Sequence, residues 1–266
     1  MNRHDGWFSG AAYEPYVGRW SRLVAREFLA WIAIPAGRRW LDVGCGTGAL
    51  SAAILLVGQP SQVKGIDPSE SYLSFAHQQI NDSRFTSKIG NAQALPCESA
   101  GYDAAVSGLM LNFVPVPQEA VAEMTRVASP GATVAAYVWD YAGQMQLMRH
   151  FWDAAAALDP EAARLDEGRR FSFCQPEPLE GLFKNAGLIN VESRSIDVPT
   201  NFRDFEDYWT PFLGGQGSAP GYAMSLTEDH RESLRQQVYD GLPIAADGSI
   251  SLIARAWAVR GRRPGI

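Results

Sequence analysis

Along residues 39–139 the spacing of apolar residues switches back and forth between two patterns, one typical of strands and one typical of helices. Short runs of β-branched, aromatic and small apolar residues, typical of buried strands, are separated by stretches with the spacing of amphipathic helices. Strands that alternate with helices predict a parallel sheet with helices on both faces. The predicted strands of this part are residues 39–43, 63–67, 85–90, 102–107 and 133–139, and the predicted helices are residues 49–57, 68–80 and 118–128.

The pattern changes on either side of this region. Apolar residues at helical spacing predict a helix over residues 18–34, before Pro35, and another over residues 178–186. Residues 201–241 are rich in aromatic residues and glycine and interrupt the alternation between two further predicted strands, 188–198 and 249–259. We therefore predict an α/β fold: a doubly wound, mostly parallel, seven-stranded, Rossmann-like sheet in a single domain (1–266), with an N-terminal helical segment (1–35) and an inserted cap (201–241) before the last strand.

Composition narrows the classes of function. The chain has 266 residues, of which 46% are hydrophobic and 20% charged, so a sizeable core is expected. The formal net charge of -6 argues against a nucleic-acid partner. No apolar run is long enough to cross a membrane, the first residues lack the apolar stretch of a signal peptide, and the three cysteines suggest no disulfide framework. We expect a cytoplasmic protein without a metal site, and the composition leaves the oligomeric state open.

The most informative segment is the turn from Asp42 to Gly48, Asp-Val-Gly-Cys-Gly-Thr-Gly, between a predicted strand and a predicted helix. Glycines permit positive φ and let a ligand approach the backbone, and a helix N-terminus favours an anionic group. The turn suits the pyrophosphate of a dinucleotide or the methionine part of S-adenosylmethionine (SAM). Asp67, at the tip of the second strand, suits the ribose hydroxyls of either ligand.

Three segments resemble one family. Asp42 with Gly44-x-Gly46-x-Gly48 resembles the first motif of class I SAM-dependent methyltransferases. The segment Gly90-Asn-Ala-Gln-Ala-Leu-Pro96 resembles the adenine-contacting segment of that family, although Asn91 and Gln93 stand where acids are usual. Residues 102–115 are similar to its fourth strand and following turn. The likeness spans roughly residues 38–140 and is greatest to the small-molecule, ubiquinone-biosynthesis-like branch.

The resemblance implies SAM as the cofactor and a set of residues that hold it. In related enzymes an N-terminal tyrosine and arginine close over SAM. The resemblance therefore adds Tyr16 and Arg19, from the predicted N-terminal helical segment, to the cofactor-binding residues. The implied cofactor-binding residues are Tyr16, Arg19, Gly44, Cys45, Gly46, Thr47, Gly48, Asp67, Pro68, Ser69, Asn91, Ala92, Gln93, Ser107, Gly108 and Leu109.

Methyl transfer from a sulfonium requires alignment in a dry site, and it requires a base only if the nucleophile loses a proton. The sequence shows no catalytic triad. The candidates for a base are Asp140, Tyr141 and His150, and the candidates for contact with a small-molecule acceptor are Trp139, Trp209 and Phe212. A nicotinamide-dependent oxidoreductase and a non-catalytic SAM-binding protein are the alternatives. The acceptor and the methylated atom are not readable from the sequence.

Overall fold

The computed structural model describes residues 14–215 and 217–265. Seven strands form one sheet in the order β3-β2-β1-β4-β5-β7-β6, with helices on both sides. The predicted α/β architecture is thereby confirmed. The strands are β1 (Arg39–Val43), β2 (Gln62–Asp67), β3 (Phe85–Ile89), β4 (Tyr102–Gly108), β5 (Ala128–Trp139), β6 (Ile189–Phe202) and β7 (Ile250–Arg262).

Residues 14–18 of the predicted N-terminal segment form a π-helical turn, which leads into the first α-helix, and residues 1–13 of that segment lie outside the described chain. That first helix ends at Ile32, before the predicted end, because Ala33 turns to a φ of +48°. The α-helices are α1 (Arg19–Ile32), α2 (Ala49–Val57), α3 (Glu70–Gln79), α4 (Pro117–Val127), α5 (Gln146–Leu158), α6 (Glu167–Arg170), α7 (Pro176–Asn185), α8 (Phe205–Trp209), α9 (Ser218–Ser225) and α10 (Glu228–Gly241).

Strands β1 to β5 are parallel, and the order of strands reverses between β1 and β4. Ligands of open α/β sheets bind outside the carboxyl ends of the strands at such a reversal. Both β1 and β4 end beside glycines at this edge, the first at Val43 and the second at Gly108. The topology therefore brings the turns that follow β1 and β4 to the place where a ligand is expected.

The fifth strand starts earlier than predicted. The strand was predicted to begin at residue 133, but β5 begins at Ala128 and includes residues 129–132. Gly131 has a φ of +76°, and the pairing of β4 with β5 shifts register there. The strand therefore has an irregularity at this position, because a glycine permits that backbone conformation within a strand.

The last strand runs against its neighbours. Position 131 bonds to position 263, and position 140 to position 255, so β7 is antiparallel to β5. Two ion pairs, Arg260 with Glu192 and Arg255 with Asp197, mark the same opposed direction between β7 and β6. Residues 203–249 connect β6 to β7, and the predicted cap falls in this connection except for its first two residues, which end β6.

The described chain divides into two compact units. The sheet unit comprises Ser21–Val138, Phe173–Ile196 and residues 256–265, and its core is formed by side chains such as Trp40, Leu41 and Val106. The cap unit comprises residues 14–20, Trp139–Ser172 and Asp197–Arg255 without residue 216. It contains the predicted cap together with a segment after β5 that the sequence pattern did not assign to it.

The cap unit has an aromatic core. Phe151 stacks on Phe212 with ring centroids 4.5 Å apart and planes 8° apart, and Tyr16 meets Phe212 edge-on at 5.3 Å. Stacked and edge-to-face rings stabilise a core beyond the area that they bury. These rings give the unit a hydrophobic centre of its own, built from three separate stretches of sequence.

Candidate functional site

The glycine turn is tied to the neighbouring strand. The backbone N–H groups of Gly44 and Cys45 both donate to the carbonyl oxygen of Ile66 in β2, at 2.7 and 3.1 Å. Gly44, Gly46 and Gly48 have φ values of +72°, +52° and +87°. Left-handed backbone at three alternate positions explains why glycine occupies all three.

The three glycines differ in what surrounds them. A Cβ on Gly44 would collide with the side chain of Met110, and one on Gly48 would lie 2.7 Å from Cδ1 of Ile80. A Cβ on Gly46 would meet no described atom within 4 Å. Packing therefore requires glycine at the outer two positions, whereas Gly46 borders open space in which a ligand could approach the backbone.

Asp67 connects the glycine turn to the end of β2. Its Oδ2 accepts from the N–H of Gly46 at 2.9 Å and its Oδ1 accepts from the N–H of Ser69 at 2.9 Å. Burial raises the pKa of Asp67, and these two bonds oppose the rise. A carboxylate has about four lone-pair positions, so both oxygens can still accept from further donors.

A second buried carboxyl, Asp42, lies beneath the turn in β1. Ser51 of α2 donates to Oδ2 at 2.7 Å, and Oδ1 has no hydrogen-bond partner among the described residues. Burial raises the pKa of Asp42 to about 7, and the nearby charge of Asp67 adds to the rise. Two carboxyl groups with raised pKa values therefore lie close to the glycine turn.

The segment after β3 forms a compact loop. Oδ1 of Asn91 accepts from the backbone N–H of Gln93 at 2.9 Å, and Nε2 of Gln93 donates to Glu119 at 2.5 Å. Arg126 of α4 donates to the carbonyl oxygens of Cys97 and Leu95 further along the loop. Helix α4 thereby holds the loop against the sheet.

The turn after β4 lies against the glycine turn through Met110. Leu109 has a φ of +59° and donates its N–H to the carbonyl oxygen of Tyr137 at 2.8 Å. The hydroxyl end of Tyr137 lies directly over Gly108, where a Cβ would be 2.5 Å away from it. Ser107 is fully buried, and its Oγ has no partner among the described residues. Thus the predicted segments after β1, β2, β3 and β4 all belong to the sheet unit.

Comparison with known proteins decides the family. The family described as a methyltransferase domain matches residues 41–136. Demethylmenaquinone methyltransferase of Bacillus subtilis (strain 168) is 33% identical over 182 residues, which cover 61% of this chain and 76% of that protein. The chain belongs to the class I SAM-dependent methyltransferases. It is therefore an enzyme of this class with SAM as its cofactor, and the choice that the glycine turn alone left open, between SAM and a dinucleotide, is resolved.

Solved structures show the same fold at low identity. Phosphoethanolamine N-methyltransferase 2 of Haemonchus contortus, in complex with phosphomonomethylethanolamine and S-adenosylhomocysteine, has a TM-score of 0.59 at 16% identity, over 96% of this chain and 57% of that one. The [4+2]-cyclase SpnF has a TM-score of 0.56 at 17% identity, over 100% of this chain and 88% of that one. Since a cyclase shares the methyltransferase fold, the architecture by itself does not establish the reaction.

Two predicted cofactor-binding residues lie in the cap unit. The guanidinium of Arg19 lies over the rings of Trp20 and Phe202, at 4.4 and 4.9 Å, and donates to Asp207 at 3.2 Å. Arg19 and Asp207 also line a cavity of about 410 Å³ on the cap unit. Tyr16 is buried against Phe212. Contact of Tyr16 and Arg19 with the methyltransferase cofactor stays a prediction.

The candidate bases have different surroundings. Oδ2 of Asp140 accepts from the backbone N–H of Gln144 at 2.9 Å, in the turn after β5. The ring of Tyr141 packs against that of Phe171, with centroids 5.4 Å apart. Burial lowers the pKa of His150, which favours a neutral imidazole. Asp140 thus has a turn-stabilising contact, and a catalytic role for any of the three stays a prediction.

The candidate acceptor residues Trp139, Trp209 and Phe212 are all buried. Trp209 and Phe212 pack against each other in the aromatic core of the cap unit, so both side chains have a structural role there. Contact of Trp139, Trp209 or Phe212 with an acceptor stays a prediction. Sequence reasoning did not single out Met110, Arg126 or Glu167. Met110 and Arg126 act through contacts with distant segments, and the burial of Glu167 has no signal in its neighbours along the chain.

Among the described residues, no group of three or more His, Cys, Asp or Glu side chains could hold a metal ion. None of the helices in the described ranges is both long enough and apolar enough to cross a membrane.

Proposed function

We propose that this methyltransferase transfers the methyl group of SAM to a small, flat acceptor, and that it acts mainly by positioning. The observation that carries the proposal is the identity of 33% to a demethylmenaquinone methyltransferase, of which the chain covers 76%. The aromatic cap unit and the net charge of -6 agree with a small apolar acceptor rather than a nucleic acid. A cytoplasmic location stays a prediction.

Groups of the sheet unit support the proposal. The backbone from Gly44 to Gly48 would take the methionine part, because Gly46 leaves open space beside it. Asp67 would accept from the ribose hydroxyls with its remaining lone pairs. The turns that start at Asn91 and at Ser107 would hold the adenine and the methionine ammonium. The contacts proposed at these turns are Asn91, Ala92 and Gln93 for adenine and Ser107, Gly108 and Leu109 for the ammonium. Cys45 and Thr47 in the turn after β1, and Pro68 and Ser69 in the turn after β2, would complete the site.

SAM supplies an electrophilic methyl group attached to a sulfonium. The residues of the chain have to exclude water and hold the acceptor in line with the methyl group and the sulfur. In such a displacement an enzyme lowers the activation free energy mainly by aligning the reacting atoms. A proton acceptor is needed only for an acceptor whose nucleophilic atom carries a proton.

Incorporation of radiolabel from methyl-labelled SAM tests the proposed class of acceptor. The purified protein is incubated with a pool of small metabolites, with bulk tRNA and with a protein extract. We expect label in the small-molecule fraction. Label found in tRNA or protein, with none in small molecules, would overturn the proposal. The Gly46→Val variant serves as the enzyme control, because loss of cofactor binding should abolish the label.

A further inference from the structure

One edge of the sheet is a long strand that has a neighbour on one side only. In the order of strands, β6 stands last, beside β7. The backbone N–H and C=O groups along its outer side therefore have no strand partner among the described residues. Unpaired groups on a sheet edge are a template for a further strand, so native proteins either block such an edge or use it for recognition.

The part of β6 that belongs to the sheet unit is exposed on one of its two faces. Glu192 and Arg194 are exposed and lie on the same face, because side chains alternate along a strand. Ser193, on the opposite face, donates to Oε1 of Glu180 in α7 at 2.7 Å. Helix α7 therefore lies on one face of this segment, and the two charged side chains lie on the other face, beside the open edge.

These two charged side chains can still form ion pairs. Glu192 accepts from Arg260 in β7 with Oε1, at 2.6 Å, and its side chain is still 53% exposed. Arg194 is exposed and has no hydrogen-bond or ion-pair partner among the described residues. An unpaired guanidinium thus lies two positions from a carboxylate that has one oxygen left for a further donor.

Antiparallel pairing of two copies of β6 brings these charges together in one register. Such pairing places residues of the same face opposite each other, so the two-fold axis between the copies has to pass through a residue position. An axis at Ser193 places Glu192 of each copy opposite Arg194 of the other copy. An axis at Glu192 or at Arg194 places like charges opposite each other. Because opposite charges on paired strands are favourable and like charges are unfavourable, the charge pattern favours the axis at Ser193.

The backbone defines a paired stretch that is centred on the same residue. Asn190 has a φ of +51°, which is outside the extended region, so regular pairing begins after it. An axis at Ser193 pairs residue 191 with residue 195, and the stretch 191–195 is therefore its own complete partner. Ser193 and Ser195, on the face that carries α7, have small side chains and permit close approach of a second strand.

We propose that the outer edge of β6 is a docking surface for a second copy of this chain, which pairs residues 191–195 antiparallel about a two-fold axis at Ser193. Two ion pairs, each between Glu192 of one copy and Arg194 of the other, fix the register. A short paired stretch buries little surface, so the dimer dissociates on dilution. The docking surface concerns assembly alone and does not depend on the proposed acceptor.

Sedimentation velocity of the full chain at several concentrations tests the docking surface. We expect a change from monomer to dimer between about 1 and about 500 µM, as for other small interfaces. The dimer should weaken as NaCl is raised, because salt screens exposed ion pairs. Hydrogen exchange of backbone amides within residues 191–195 should slow at the concentrations that give dimer. A protein that stays monomeric throughout, or that dimerises without this protection, would overturn the proposal.

Two charge variants test the register. Arg194→Glu places glutamates opposite each other in its own dimer, and Glu192→Arg places arginines opposite each other. Each variant alone should dimerise at least about tenfold more weakly than the wild type. An equimolar mixture of the two variants places opposite charges together again and should restore the dimer. Recovery on mixing is a result that two misfolded variants would not give.

The matched control is Arg38→Glu, which makes the same change of charge at an exposed position of the sheet unit, just before β1. This variant should dimerise as the wild type does. Equal dimerisation of Arg194→Glu and Arg38→Glu, or a mixture of Arg194→Glu with Glu192→Arg that stays monomeric, would refute the pairing about Ser193 and with it the proposal.

Discussion

At the scale of single residues, Asp67 shows how one side chain can shape a site and still bind a ligand. Its two oxygens accept from Gly46 and Ser69 and so join the turns that follow β1 and β2. These bonds orient the carboxylate in the absence of any ligand. A preoriented acceptor loses less entropy when the ligand binds.

Asp67→Ala should weaken SAM at least tenfold. The variant loses charge-assisted hydrogen bonds worth about 1.5–3 kcal/mol each and also the anchor of the Gly46 backbone. Titration calorimetry measures the change, with Glu70→Ala as the control, since Glu70 is an exposed acid three residues further along. Unchanged affinity in a folded Asp67→Ala protein would refute a ribose-binding role.

At the scale of elements, two turns are defined by residues that pack across them. Met110, after β4, covers Gly44, and Arg126, in α4, holds the loop after β3 through the carbonyl oxygens of Leu95 and Cys97. The glycine turn is thus enclosed on one side and open at Gly46. Because a side chain at position 46 would meet no described atom, a substitution of Gly46 tests ligand approach without disturbing the packing of the turn.

Gly46→Val should abolish SAM binding, because its side chain would fill the open space and its φ of +52° disfavours a β-branched residue. Gly37→Val is the matched control: Gly37 has a φ of +76°, equally open surroundings, and a position before β1. Calorimetry with SAM and NAD compares the proteins. Retained SAM binding in Gly46→Val, or equal losses in both variants, would contradict the proposed approach to the backbone.

At the scale of the whole molecule, each unit contains a buried carboxyl whose pKa is raised to about 7, Asp42 in the sheet unit and Glu167 in the cap unit. The native protein holds these protons more tightly than the unfolded chain. The resulting stabilisation is fully present below the unfolded pKa values, near 4, and is lost as pH rises through about 7.

Asp42→Asn, which does not titrate, should therefore gain stability relative to the wild type as pH rises from 4 to 8. The gain is on the order of 4 kcal/mol for Asp42 and somewhat less for Glu167→Gln. Urea unfolding of SAM-free protein at several pH values measures it. Glu161→Gln, at an exposed position, should run parallel to the wild type. If all variants run parallel to it, the two carboxyls titrate normally.

The amino-acid pattern was enough to predict the fold class and the alternation of strands and helices up to β5, and the resemblance to one family was enough to predict the cofactor. Periodic burial and glycines at positions of positive φ are local requirements, so they are visible in consecutive residues such as Gly44, Gly46 and Gly48. The predicted start of β5 was wrong, because Pro130 and Gly131 indicate a turn locally, whereas Ala128 already pairs with β4 and the N–H of Gly131 donates to the carbonyl oxygen of Arg263.

The composition of the cap unit, and the groups that are buried together in it, became apparent only from the three-dimensional structure. Tyr16, Phe151 and Phe212 come from three stretches that no local pattern connects, and burial is the main cause of the raised pKa of Glu167. Contacts between distant segments, and the desolvation that they cause, depend on how the chain packs. For that reason a cofactor site could be predicted from consecutive residues of the sequence, whereas the contents of the cap unit could not.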